Sequence, residues 1–213
     1  SSLRPLKEGF TTEKGYPPDM FVSSERALEL TDYNTLVMVV DVNRPSHTEC
    51  PGLLKRTDSI VVFDHHRQSS EVISNPVLSY IEPYASSTCE MVAEVLQYFT
   101  ENIKLAPHEA DCIYAGILID TSNFMTKTGV RTFEAAAYLK RCGAEVTRVR
   151  KMLRNDMDAY KARAEVVRHA EVYRGAFAIS ICPADKIESP TIVGAQAADE
   201  LLNIVGIKAS FVL

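Results

Sequence analysis

The chain has 213 residues, of which 46% are hydrophobic and 24% charged, and its formal net charge is −5 at pH 7. This composition predicts a globular protein of one large domain, or of one medium and one small domain, and the negative charge argues against a surface that coats duplex nucleic acid. No apolar run approaches the about 20 residues that span a bilayer. The five cysteines are widely spaced and form no Cys-x-x-Cys pair, which favours a reducing compartment over a disulfide framework or a zinc ribbon.

Two apolar runs in the first third of the chain predict strands. Residues 1–22 contain three prolines and little periodicity, so we expect an irregular lead-in. The runs TLVMVV (35–40) and SIVVF (59–63) are continuous and rich in β-branched residues, which is typical of parallel strands buried on both faces. Between them CPGLLKRTD (50–58) allows a short helix or a turn, and the span fits one crossover unit.

Three stretches further along predict helices. A Ser-x-x-Glu capping-box pattern opens YASSTCEMVAEVLQYF (84–99), and apolar residues then recur at helical spacing. Pro107 suits the first position of a second helix, which ends at Asp120. Thr132 is a candidate cap for a third helix, with Gly143 as its stop.

The pattern changes near residue 150. A charged, largely helical stretch runs from about 146 to 173, and GAFAISI, GAQAADELLNIV and IKASFVL then give a strand, a helix and a strand. We predict a domain over residues 1–150, a helical linker over 151–172, and the start of a smaller, incomplete α/β domain over 173–213. The predicted fold class is α/β, with a mainly parallel, Rossmann-like sheet flanked by helices.

Acidic and imidazole side chains stand where the predicted apolar elements end. Asp41 follows TLVMVV, His65 and His66 follow VVFD, and Asp120 ends AGILID. Because ligands collect beyond the carboxyl ends of parallel strands, we expect Asp41 and the histidines to face one crevice, within reach of Asp120. Carboxylate and imidazole ligands suit a divalent ion such as manganese, iron or cobalt, and two such ions can activate a water for phosphoryl displacement.

The same residues have simpler explanations, which the sequence leaves open. An aspartate after a strand is often a turn residue, two histidines in a loop are often only polar, and Asp120 could pair with a neighbouring cation. Adjacent side chains of extended backbone point in opposite directions, so we expect one imidazole on the metal and the other facing substrate. Arg67, Arg131 and Lys127 are candidate phosphate contacts or solvated cations.

Two more features would lie beside the crevice. The backbone amides at Ser86, Ser87 and Thr88 open a helix and offer an anion site, although most capped helices bind nothing. Gly116 lies inside an apolar helix, where glycine costs about 1 kcal/mol relative to alanine. Its presence there indicates close packing.

Five motifs together resemble one enzyme family. They are VVDVNRP, VVFDHHR, YASSTCE, AGILIDTSNF and TGVRTFEAA, in this order. From about residue 20 to the C-terminus the chain resembles a DHH-family phosphoesterase, and DHHR, EPYASST and AQAADELL are most similar to the DHH and DHH-associated module of bacterial cyclic-di-AMP phosphodiesterases. By this resemblance residues 1–150 are the DHH domain, and residues 173–213 begin the DHH-associated substrate-binding domain.

The resemblance implies roles for individual residues. The family carries two manganese ions, for which Asp41 and Asp120 match bridging aspartates and His65 matches a ligand. His66 matches the second histidine of the motif, near the scissile phosphate, and Asp64 is expected to orient the histidines. The residues expected on the substrate side are Ser86, Ser87, Arg131 and Arg67.

The implied function is hydrolysis of cyclic di-AMP to pApA, which is turnover of a second messenger. The alternatives are a nano-RNase or pAp phosphatase of the same superfamily, or a nucleotide-binding fragment without catalysis. The family's first metal motif, a histidine followed by Asp-x-Asp, and its glycine-rich GGGH motif have no match in the chain. We therefore expect a piece of a larger enzyme.

The resemblance also implies partners and a location. The expected partner is a cyclic dinucleotide, with no duplex nucleic acid, and the expected assembly is a homodimer. The parent protein is expected at the cytoplasmic face of the cell membrane, anchored by upstream segments. This segment itself is expected to make no membrane contact.

Overall fold

The computed structural model describes residues 4–12, 15–99, 104–154, 157–183, 187 and 189–213. The chain divides between Leu153 and Arg154 into two units, and each unit carries a three-stranded sheet. The point of division lies inside the predicted linker, while the assignment of the three domains stays a prediction. None of the helices in the described part of the chain combines the length and apolarity that crossing a bilayer takes.

The sheet of the first unit is parallel, as predicted. Strands β1 (Val37–Val40), β2 (Ile60–Asp64) and β3 (Leu78–Ile81) lie in the order β1-β2-β3. The β1–β2 connection contains two short 3-10 segments, Pro45–His47 and Pro51–Lys55. The two apolar runs therefore end side by side at one edge of the sheet.

The burial of the strands departs from the prediction. Strand β2 is the central strand and is almost wholly buried. Strand β1 is not buried on both faces, since Met38 and Val40 are 56% and 51% exposed. Strand β3 was not predicted, because LSYI lies between Pro76 and Pro83 and carries no continuous apolar run.

Helices surround this sheet. Among the described residues of the first unit they are α1 (Arg4–Thr12), α2 (Ser24–Leu30), α3 (Thr88–Phe99), α4 (Pro107–Asp120), α5 (Val130–Arg141) and α6 (Val146–Met152). Helix α4 begins at Pro107 and ends at Asp120 as predicted, and Gly143 follows α5 with a φ of +103°, the left-handed conformation that suits a helix stop. The predicted cap of α5 is wrong. Gly129 precedes the helix, and its N–H donates to Oγ1 of Thr132 one turn inside, at 3.0 Å.

Helix α1 lies where we expected an irregular lead-in, and that prediction is wrong. The helix packs on α4 through Gly9, where a Cβ would overlap the buried ring of His108. The ring of Phe10 lies edge-on to His108 at 4.6 Å, and the carbonyl oxygen of Leu6 lies 3.2 Å from Nε2 of His108. These contacts join residues about 100 positions apart, so no local pattern in the sequence reveals them.

The second unit has a mixed sheet covered by two helices. It contains α7 (Met157–Arg168), β4 (Glu171–Tyr173), β5 (Phe177–Ser180), α8 (Pro190–Leu202) and β6 (Ala209–Val212). Strand β5 pairs antiparallel with β4 and parallel with β6. The strand–helix–strand pattern of the tail is confirmed. The stretch predicted as largely helical to about 173 contains α6 and α7 and ends in the strand β4, which was not predicted.

Helices α3 and α4 cross at a point where no side chain fits. A Cβ on Gly116 of α4 would overlap Sγ of Cys89 at the start of α3. This agrees with the close packing that the glycine indicated. The crossing matters for function because it fixes the N-terminus of α3 against the C-terminal half of α4.

Replacing Gly116 with alanine is expected to destabilise the first unit by about 1–3 kcal/mol, because overpacking at Cys89 outweighs the gain in helix propensity. The matched control is Gly194→Ala in α8, where the new Cβ would lie 3.5 Å from the nearest Val212 carbon, an ordinary contact. That variant should instead gain up to about 1 kcal/mol. Urea unfolding measures both, and a Gly116→Ala variant as stable as the wild type would contradict the close crossing.

Candidate active site

Asp41 lies one residue beyond β1, at the edge where the parallel strands end. Its N–H donates to the carbonyl of Phe63 at 2.9 Å, which continues the ladder between β1 and β2. Its φ of +66° lies in the left-handed region, which aspartate tolerates better than most residues. A non-glycine residue held in this conformation is a common feature of functional sites.

His65 faces two carboxylates at once. Its Nδ1 lies 3.3 Å from the carbonyl oxygen of Ala85, so in the neutral ring Nδ1 carries the proton and Nε2 presents a lone pair. Nε2 lies 3.7 Å from Oδ1 of Asp41 and 3.7 Å from Oδ2 of Asp120. Its side chain is only 9% exposed, so the ring is fixed in this direction.

The groups around Nε2 of His65 fit a divalent cation. The 3.7 Å separations are too long for hydrogen bonds, and a cation beside Nε2 would offset the charge of either carboxylate. Two carboxylate oxygens and one imidazole nitrogen suit manganese, iron or zinc. Among the described residues, the group of three whose ligand atoms all lie within 4.8 Å of one another is Asp41, His65 and His66, and Asp120 lies next to His65 but outside this group.

Asp120 is held at an electrostatic cost. Burial raises the pKa of its carboxyl, and the negative charge of Asp41 raises it further, against the smaller opposing effects of His65, His66 and Lys127. Asp120 is also the last residue of α4, and the C-terminal end of a helix carries a partial negative charge. A carboxylate kept in such a place is a candidate for function rather than for stability.

Asp64 is fully buried and holds His66. Its Oδ1 accepts hydrogen bonds from the backbone N–H of His66 at 3.1 Å and from Nδ1 of the same ring at 2.7 Å. Its Oδ2 accepts a bond from Nδ2 of Asn43 at 2.6 Å. Asp64 thus orients His66 directly, whereas His65 is oriented by a backbone carbonyl.

The two imidazoles do not point in opposite directions, which corrects our expectation. Their ring centroids lie 4.4 Å apart at an interplanar angle of 62°. Strand β2 ends at Asp64, so the alternation of side chains stops before the pair. Both rings therefore lie on the side of Asp41.

The N-terminus of α3 supports Asp41 through Thr88. Oγ1 of Thr88 donates a hydrogen bond to Oδ1 of Asp41 at 2.8 Å, and Thr88 itself is buried. Asp41 Oδ1 is also the oxygen that faces His65. Thr88 belongs to the YASSTCE motif, but no pattern in the sequence singles out its hydroxyl.

Replacing Thr88 with valine is expected to lower the affinity for a divalent metal by about 10- to 100-fold, as loss of a group that orients a ligand commonly does. Valine keeps the shape of threonine and removes only the donor to Asp41. Calorimetric titration with Mn²⁺ measures the affinity, and Thr48→Val, in the loop after β1, is the control. An unchanged affinity would show that Thr88 does not orient Asp41.

Ser86 and Ser87, predicted on the substrate side, are both buried and bonded to Glu90. The Ser87 Oγ accepts from the N–H of Glu90 at 3.0 Å, which is the capping bond expected from the sequence. The hydroxyl of Ser86 donates to the buried carboxylate of Glu90. The carboxylate of Glu90 thus bonds Ser86, the residue before the capping residue Ser87, rather than Ser87 itself. The roles of both serines in substrate binding stay predictions.

Arg131 is engaged by acidic side chains. Its Nε and one terminal nitrogen donate to the two carboxylate oxygens of Glu94, both at 2.7 Å. The carboxylates of Glu82 and Glu90 lie 3.8 and 3.9 Å away. The bond to Glu94 raises the pKa of Arg131, and Tyr80 raises it further, against the opposing effect of burial. Arg67 is exposed in the loop after β2, so it is the freer of the two arginines predicted as phosphate contacts.

Comparison with known proteins gives consistent matches. The family described as "DHH family, N-terminal domain" matches residues 4–117. Cyclic-di-AMP phosphodiesterase GdpP of Bacillus subtilis is 41% identical over 192 residues, which are 90% of this chain and 29% of the relative. A probable manganese-dependent inorganic pyrophosphatase of Thermotoga maritima is 33% identical over 100 residues, which are 46% of this chain and 17% of the relative. The chain thus spans less than a third of either relative.

A solved structure shares the fold. The crystal structure of an exopolyphosphatase-related protein from Bacteroides fragilis matches with a TM-score of 0.77 at 16% identity, covering 93% of this chain and 61% of that one. This likeness confirms the α/β fold class with its parallel sheet. At this identity it supports the fold alone.

Proposed function

Because the chain belongs to the DHH family, we propose that it is part of a larger metal-dependent enzyme that hydrolyses cyclic di-AMP to linear pApA. The observation that carries the proposal is the cluster of Asp41, His65 and His66, whose ligand atoms lie within 4.8 Å of one another, with Asp120 at 3.7 Å from Nε2 of His65. Support for the substrate comes from the printed name of the Bacillus subtilis relative.

The chain's own residues suggest how the reaction is organised. A divalent ion held by Asp41, His65 and Asp120 would activate a water and offset charge on the phosphoryl group. His66 keeps Nδ1 bonded to buried Asp64, so when the ring carries a second proton its Nε2–H can donate to a phosphoryl oxygen while the ester bond breaks. Such a preformed contact stabilises the transition state more than the ground state.

Manganese, with two ions per site, is the proposed metal. The mixed oxygen and nitrogen ligands support it, as does the printed name of the Thermotoga maritima relative. The ligands that the described residues bring together suffice for part of a two-ion site, and we propose that the remaining ligands come from other residues of the full-length protein.

The remaining assignments are proposals drawn from the family resemblance. They comprise a DHH domain over 1–150, a linker over 151–172 and a substrate-binding domain beginning at 173. They also comprise a homodimer, and a parent protein anchored at the cytoplasmic face of the membrane. On the substrate side they comprise Ser86, Ser87, Arg131 and Arg67.

The test is hydrolysis by the full-length protein with added Mn²⁺. We expect turnover of cyclic di-AMP to pApA, loss of activity with a chelator, and slower turnover of pAp and short RNA. Faster turnover of pAp or RNA would instead make the protein a phosphatase or nano-RNase of the superfamily. Nucleotide binding without hydrolysis of any of the three would overturn the enzymatic proposal.

A further inference from the structure

We propose that Asn43 is a positioning residue for the proposed reaction, acting on His66 through Asp64. Only the expected effect on the reaction rate rests on the proposed phosphodiesterase function. Asn43 lies two residues beyond Asp41, in the loop after β1, and is 4% exposed. It joins two loops, because its backbone carbonyl also accepts from the N–H of Ile73 at 3.2 Å.

The amide of Asn43 has a single workable orientation. Its Nδ2 donates to Oδ2 of Asp64 at 2.6 Å and to the backbone carbonyl of His66 at 3.1 Å. Both partners are acceptors, so a flipped amide would set its oxygen against two other oxygens. The side chain is therefore held as a double donor that bridges the aspartate and the second histidine of the motif.

This orientation leaves an acceptor without a bond. Within the described residues, Oδ1 of Asn43 is buried and has no hydrogen-bond partner. A buried polar atom of this kind costs free energy, and a side chain chosen only to fill space would avoid that cost. What Asn43 supplies in return is one hydrogen bond to Asp64, which holds His66, and one to the backbone carbonyl of His66.

Asp64 needs these donors. It is fully buried, and a buried carboxylate stays ionised only when hydrogen bonds satisfy it. In the described part of the chain His66 supplies the bonds to Oδ1, and Asn43 supplies the hydrogen bond found to Oδ2. Without Asn43 the carboxylate would be free to turn, and its hydrogen bond to Nδ1 of His66 would weaken.

The consequence for His66 is a fixed tautomer. An ionised Asp64 accepts the proton of Nδ1, so Nε2 is left available on the exposed side of the ring, whose side chain is 59% exposed. A half-exposed histidine would otherwise sample both tautomers and several ring orientations. Asn43 therefore sets the state of His66 without touching substrate itself.

The diagnostic substitution is Asn43→Asp, which keeps the size of the side chain and replaces the donating nitrogen with an acceptor. Asn43→Ala is the second variant, since it removes the amide without adding charge. The matched control is Asn75→Asp, an exposed asparagine in the loop before β3. Thermal melts identify any variant that fails to fold.

The kinetic experiment uses the full-length protein, Mn²⁺ and cyclic di-AMP. Asn43→Asp and Asn43→Ala should lower kcat by about 10- to 100-fold, while KM changes by less than about threefold, because the lost effect belongs to the transition state. In a His66→Ala background, Asn43→Ala should cost less than about threefold further, since both changes remove one effect. If the losses of kcat from the two substitutions multiplied in the double variant, the proposal would be overturned. Asn43 would then only connect two loops.

A second experiment does not need activity. Spectra of ¹⁵N-histidine-labelled protein at pH 8, where imidazoles are mostly neutral, should show His66 protonated on Nδ1 in the wild type and in Asn75→Asp. Both Asn43 variants should show a mixture of tautomers. If the wild-type protein fails to hydrolyse cyclic di-AMP, the proposed function fails, and these spectra still decide the coupling. If His66 kept the single wild-type tautomer in both Asn43 variants, the proposed coupling between Asn43 and His66 would be overturned.

Discussion

Replacing His65 with alanine in the full-length protein is expected to lower metal-dependent hydrolysis by about a thousandfold. Nε2 of the ring lies 3.7 Å from both Asp41 and Asp120, so its loss removes the neutral ligand that neighbours both carboxylates. A metal ion contributes several kcal/mol of charge stabilisation to such a reaction, and about 4 kcal/mol corresponds to a thousandfold change in rate. Initial rates with Mn²⁺ and cyclic di-AMP measure the effect.

The matched control is His47→Ala, which removes an exposed histidine from the loop after β1. It should change neither the rate nor the bound manganese, whereas His65→Ala should lose manganese as measured by elemental analysis. If His65→Ala kept both its metal and its rate, the convergence of the three residues would have another explanation. Loss of rate with full metal retention would instead make His65 a residue of the substrate side.

Much of the site could be predicted from the geometry of parallel sheets. Asp41 and His65 were predicted together because parallel strands end at one edge, and β1 and β2 do pair in that way. Asp120 was placed correctly because a proline start and an apolar stripe fixed the extent of α4. In each case a local pattern determined where an element ends, and the position of the end determined the neighbours.

The rest of the site depends on contacts that no local pattern contains. The donor to Asp41 comes from Thr88, 47 residues away, and the donor to Asp64 comes from Asn43, 21 residues away. Whether a given hydroxyl or amide meets a carboxylate is decided by how α3 and the loops pack. The same holds for Arg131, which looked like a phosphate contact and forms a bidentate pair with Glu94.

Replacing Asp120 with asparagine is expected to stabilise the metal-free protein and to abolish its response to metal. Burial and the charge of Asp41 raise the pKa of Asp120, so the folded state binds this proton more tightly than the unfolded chain does. The stabilising effect of the protonated carboxyl is therefore complete below the unfolded pKa of about 3.9, and it is lost as pH rises through the folded value. At neutral pH the ionised Asp120 opposes folding, and asparagine removes that opposition.

Two series of melting curves test this. Without metal, Asp120→Asn should melt about 1–3 °C above the wild type at pH 7.5, and the difference should shrink as the pH falls toward 4. With Mn²⁺ the order should reverse, because a ligand that binds only the folded state raises its stability and the variant cannot hold it. The exposed Asp58, replaced by asparagine, should follow the wild type in both series.

A reversal in the order of the two melting temperatures on adding Mn²⁺ distinguishes a metal ligand from an ordinary buried acid. A buried acid without a ligand's role would also gain stability from asparagine, but manganese would then raise the melting temperature of both proteins equally. A structural acid that bonds its neighbours would lose stability in the metal-free series. Asp120 carries a raised pKa and lies at the negative end of α4, 3.7 Å from His65, so the arrangement gains its favourable energy only when a cation binds.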